Sequence, residues 1–72
     1  MDTQFSVEYE VIDAVTNESF VTRERYEALA CYRAGDLVYE THKTITQSSQ
    51  HTQLVTRAIM RWNNNPDFRE EE

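Results

Sequence analysis

Cys31, His42 and His51 are the residues of this chain best suited to metal ligation or nucleophilic attack. A structural metal site gathers several soft or imidazole ligands at short, paired spacings. The separations here match no zinc pattern. A nucleophilic cysteine needs an accessible, activated thiolate. Cys31 falls inside a stretch of helical periodicity, so it reads as a packed thiol, and the two histidines read as surface residues near a hairpin tip. Paired carboxylates occur as Glu8 with Glu10 and as Asp36 with Glu40. Acids on alternate strand positions are the usual way of keeping one face of a strand wet, so they do not by themselves mark general acid–base catalysis. A phosphate-cradling loop depends on several glycines. The single Gly35 leaves none for that purpose, and no cofactor, metal or catalytic residue is expected.

The charge layout departs more from the ordinary. Up to residue 40 the acids Asp2, Glu8, Glu10, Asp13, Glu18, Glu24, Glu27, Asp36 and Glu40 stand against Arg23, Arg25 and Arg33, a balance of −6. From 41 to 66 there is no acid, while Lys43, Arg57 and Arg61 give +3. Residues 67–72 return to −3, so the net −6 describes an electrically polarised chain.

These side chains must be positioned by very few elements. Phe5, Val7, Tyr9 and Val11 alternate with Ser6, Glu8 and Glu10, the period of two of a half-buried strand, expected over about 5–15. Thr16-Asn17-Glu18-Ser19 reads as a turn into a short strand at about 19–21. The glycosylation pattern at Asn17 is read as part of that polar turn. Thr22, a capping residue type, and Gly35, a left-handed terminator, bracket a helix at about 22–34. Tyr26, Leu29 and Ala30 supply its apolar stripe. A second long strand is expected at 37–47, rich in Val, Tyr, Thr and Ile. Residues 52–62 fit either a fourth strand or a second helix, because Leu54, Ala58, Met60 and Trp62 share a strand face while Leu54, Val55, Ala58, Ile59 and Trp62 fit a helical stripe. Matched lengths favour the strand.

The expected fold is therefore α+β: a small antiparallel sheet of three to four strands with one covering helix. One domain is expected over 1–66, followed by a mobile acidic tail at 67–72. The expected core is Phe5, Val7, Tyr9, Val11, Tyr26, Leu29, Ala30 and Trp62. At 39% hydrophobic with eight aromatics, the 72 residues exceed the apolar content of a disordered acidic chain. A lone cysteine and the lack of a long apolar run point to a cytoplasmic protein that does not engage membranes. A domain of this size buries only about 60% of its unfolded surface, which makes a homodimer or a permanent partner an expectation as well.

Two binding functions follow. In the first, Glu8, Glu10, Asp13, Glu18, Asp36 and Glu40 dock on a protein with a basic surface, such as one that itself binds nucleic acid, with nucleic-acid mimicry as the extreme form. The protein is then an inhibitor or regulator. In the second, Lys43, Arg57 and Arg61 touch nucleic acid directly. Three cations in a negative field leave only a weak footprint. A homo-oligomeric structural subunit, with its charges solvated or paired between strands, is the remaining alternative. In size and charge the chain resembles the accessory proteins that bacteriophages and other mobile elements turn on host machinery, a likeness carried by no particular motif.

Overall fold

The computed structural model describes residues 2–70 and contains, in chain order, β1 (Asp2–Ile12), β2 (Ser19–Thr22), α1 (Arg25–Arg33), β3 (Leu37–Gln47) and β4 (Thr52–Arg61). The strands form one sheet in the order β2-β1-β3-β4, with every neighbouring pair antiparallel. The fold is thus the expected α+β arrangement, with four strands and one helix. The segment that periodicity left open is a strand: β4 pairs with β3 from Tyr39 opposite Arg61 to Gln47 opposite Thr52. A bulge between His42 and Lys43 absorbs one residue of β4. Its β-branched Thr52, Val55, Thr56 and Ile59 suit a pleated surface, and a long partner edge was there to receive them.

Boundaries differ from expectation where local hydrogen bonding intervenes. β1 starts at Asp2 and stops at Ile12, three residues before Val15, because Asp13 opens the turn. Its Oδ1 accepts the backbone N–H groups of Val15 (2.8 Å) and Thr16 (2.9 Å), and Asn17 takes a positive φ of 65°. Thr22 ends β2 and does not belong to α1. Its Oγ1 accepts the N–H of Glu24 (3.1 Å), and Glu24 becomes the N-cap. The helix closes on Gly35 at φ 103°, and the N–H groups of Gly35 and Asp36 are taken by the carbonyls of Tyr32 and Cys31.

The core lies between α1 and one end of the sheet: Tyr9, Val11, Ala28, Val38 and Trp62 are buried, with Val7, Leu29, Cys31, Tyr32, Met60 and Phe68 packed around them. Three expected core residues lie outside it. Phe5 is 83% exposed and Tyr26 72% exposed, and Ala30 also faces solvent. Lengths explain Phe5. A nine-residue helix spans about 14 Å and an eleven-residue strand about 36 Å, so α1 covers less than half of β1. Phe5 lies beyond its reach. Tyr26 and Ala30 are displaced because the inward stripe of α1 runs Arg25, Ala28, Leu29, Tyr32 at helical spacing, with an arginine as its first member.

That arginine is held by a polar interior. Glu40 is only 8% exposed, and its Oε1 accepts the Trp62 indole N–H (2.9 Å) and the Arg25 Nη1 (3.3 Å), while Oε2 meets His42 Nε2. The Arg25 guanidinium also lies 5.0 Å above the Trp62 ring. Burial alone would raise the Glu40 pKa. The hydrogen bonds from His42 and Trp62, together with the charges of His42 and Arg25, outweigh that effect and hold the carboxyl below its ordinary value.

The stretch following Trp62 returns over the same aromatic centre. Phe68 stacks on Trp62 (4.5 Å between centroids, 18° between planes) and meets Tyr32 edge-on at 5.0 Å. Beside it, Arg69 accepts a hydrogen bond from Arg25 through its carbonyl, and Glu70 pairs with Arg33. The mostly charged tail thus supplies an aromatic ring to the packing. Residues 71 and 72 lie outside the described part of the chain.

Candidate macromolecular interface

The two charged groups distinguished in the sequence are brought into partial contact by the sheet register. Ser6 stands opposite Lys43 and Glu8 opposite Thr41, so Glu8 and Lys43 are diagonal neighbours on the sheet face away from α1. Lys43 Nζ donates to Glu8 Oε2 at 3.0 Å, and Arg23 lies 3.7 Å from the other oxygen of the same carboxylate. Glu8 is thereby neutralised within the fold. Glu40 is sequestered as described above, which corrects its assignment to a docking surface: period-two alternation placed it opposite Tyr9 on the covered face.

Four of the six acids remain: Glu10, Asp13, Glu18 and Asp36. None of them has a basic partner among the described residues. Three of them meet at one end of the molecule. Asp36 Oδ1 accepts the N–H of Ala14 (3.1 Å), tying the α1–β3 connection to the β1–β2 turn, and Asp13, Glu18 and Asp36 line one cleft of about 230 Å³ with Val11, Ser19 and Phe20. The backbone N–H groups of Thr16 and Val15 hold the Asp13 carboxyl below its ordinary pKa. Glu10 lies one pleat away on the open sheet face. Phe20, 45% exposed, is the apolar member of this surface that the sequence reading overlooked, and its position just after a polar turn was the available signal.

The alternative cation set is more dispersed. Lys43 is committed to Glu8, Arg57 Nε donates to Thr44 Oγ1 (3.1 Å), and Arg61 is exposed on the outer strand without an acidic partner among the described residues. The β3–β4 turn at the other end of the sheet contains no acid, and there His51 stays with its own turn, where its N–H and carbonyl both bond Ser48 Oγ. The polarity of the sequence becomes only in part a polarity of the molecule, which is 44 Å in its longest dimension: Asp2 stands opposite Gln47 beside that turn, and Arg61, opposite Tyr39, shares a sheet row with Glu10.

The candidates for chemistry are scattered. Cys31 is half-buried on α1, and its thiol pKa is pushed up by burial first and then by the charges of Asp36, Glu27 and Asp13. That is the opposite of thiolate activation. Among the described residues no group of three or more His, Cys, Asp or Glu is arranged to hold a metal ion. Nor is any helix of the described residues long and apolar enough to cross a membrane. No family model, no curated protein and no solved structure matches the chain.

Proposed function

We propose that this is a non-enzymatic binding protein, an inhibitor or regulator that docks the acidic end formed by Asp13, Glu18 and Asp36, with Glu10 beside it, onto a basic surface of a protein partner. The observation that carries the reading is the outcome of internal pairing. Pairing removes Glu8 and Glu40 from the acidic set and Lys43 from the basic set, and what remains outward is a concentrated negative end around a half-exposed aromatic ring. Charge at that density steers encounter, and an apolar residue among the charges supplies area that can be buried on contact. Direct nucleic-acid binding has less support, since Arg57 and Arg61 alone remain to face phosphate from β4.

The test is affinity isolation on immobilised protein, with and without nuclease, comparing the natural chain with the double variant Glu10→Lys, Glu18→Lys. Both side chains are exposed and anchor no turn, so the fold is retained. The expected result is a stoichiometric, nuclease-resistant protein partner retained by the natural chain and lost from the variant. A partner retained equally by both, or a complex abolished by nuclease, overturns the reading.

A further inference from the structure

Residues 66–70 belong to no strand or helix. The turn before them is well anchored: Asn63 accepts the Val38 N–H and donates to the Asp36 carbonyl, and Asn65 donates to the Arg61 carbonyl and accepts the N–H groups of Asp67 and Phe68. Among the described residues beyond that point, Phe68, Arg69 and Glu70 are each held by side chains of the rest of the fold. Phe68 lies on Trp62 and against Tyr32, the Arg69 carbonyl accepts Arg25 Nη2 at 3.1 Å, and Glu70 pairs with Arg33 Nε at 2.7 Å. The last is an exposed ion pair and contributes little.

Arg25 is the junction. The same guanidinium that holds the Arg69 carbonyl is fixed by Glu40 and lies over the Trp62 ring. We propose that residues 66–70 form a strap latched by the Glu40 carboxylate, which lifts from Trp62 when that carboxylate is protonated. A neutral Glu40 no longer attracts Arg25, and the guanidinium then gains more from water than from its half-buried seat. Lifting the strap uncovers the face of Trp62 and the edge of Tyr32, an aromatic surface otherwise closed by Phe68. Among the described residues, the titratable or charged groups around Glu40 are His42 on β3, Arg25 on α1 and Tyr9 on β1, which stands directly opposite. Of these, His42 and Arg25 stabilise the ionised carboxylate, so opening belongs to the acid side of its titration.

Trp62 is the only tryptophan and reports on the strap directly. In the natural chain, acidification is expected to raise acrylamide quenching of Trp62 several-fold, in a step that precedes loss of the far-ultraviolet signal of the sheet. Glu40→Gln reproduces the neutral carboxyl at every pH, so its Trp62 is expected to show the raised quenching already at neutral pH and the acid step to vanish. His42→Gln removes a group that holds the carboxyl low, and the step is expected to move to higher pH. Quenching that rises only together with loss of the sheet signal, a step that persists in Glu40→Gln, or one unmoved in His42→Gln overturns the proposal.

Discussion

Glu40 occupies an inward strand position where alternation anticipates an apolar side chain, and three donors, from β3, α1 and the residue following β4, converge on it. Removing one partner of such a buried group leaves the others desolvated and unsatisfied, at a cost on the order of 3–5 kcal/mol. Glu40→Ala is therefore expected to lose most of the stability available to a domain this small, whereas Glu40→Gln, which can still accept from the Trp62 indole, should lose much less. Urea unfolding followed through Trp62 fluorescence distinguishes the two, and equal losses would contradict the network. The pH dependence has a definite sign. A carboxyl whose folded pKa lies below its ordinary value stabilises the fold above the ordinary carboxylate range, and that contribution disappears as pH falls through the folded pKa. Stability should fall between neutral and acid pH, and the part due to Glu40 should be missing from Glu40→Gln. Sequence reading placed Glu40 on the wetted side of a strand because pairing decides which face a helix covers, and pairing is not a local property.

At the level of elements, the alternation in β1, the β-rich composition of β3 and the Gly35 terminator were legible because each is set by local backbone physics. Helix orientation was not. An amphipathic stripe that begins with a half-buried arginine looks, from hydrophobicity alone, rotated by one position, which points Tyr26 inward in place of Ala28. Gly35 provides a test of the local part. At φ 103° with no atom within 4 Å of an added Cβ, Gly35→Ala meets no steric neighbour, so its cost is the backbone conformation alone. Roughly 1–2 kcal/mol of destabilisation is expected in thermal or urea unfolding. A neutral result would show that the α1–β3 connection relaxes. β4 offers a second test, as a ten-residue edge with Leu54 58% and Ile59 64% exposed. Such an edge can pair with a second copy, and the bulge at Arg57 together with the charges of Arg57 and Arg61 limits that pairing to a weak association. Sedimentation at micromolar concentration is expected to show a concentration-dependent dimer that Ile59→Lys weakens, and a lone 8.5 kDa species would contradict it.

Across the whole molecule, the sheet turns a division of charge along the chain into a partial division in space, with Asp2 and Arg61 each placed at the end of opposite sign. The β1–β2 turn and the α1–β3 connection bring Asp13, Glu18 and Asp36 to one end, while the β3–β4 turn carries no acid to the other. The acidic character of residues 1–40 was visible in the sequence, but the reduction of the candidate surface was not. Which acids are spent on Lys43, Arg23, Arg25, His42 and Trp62 depends on strand register and on a helix crossing the sheet, both set by long-range contacts. The most direct measurement is a pair of amide chemical-shift titrations of the folded chain, one with a lysine-rich peptide and one with a short DNA duplex, each at low and at physiological salt. Docking through the acidic end requires the peptide to shift the amides of residues 10, 13–20 and 36, with affinity falling as salt screens beyond a Debye length of about 8–10 Å, and the duplex to shift nothing. Shifts by the duplex along residues 41–61, with the 13–20 turn silent toward the peptide, would contradict it.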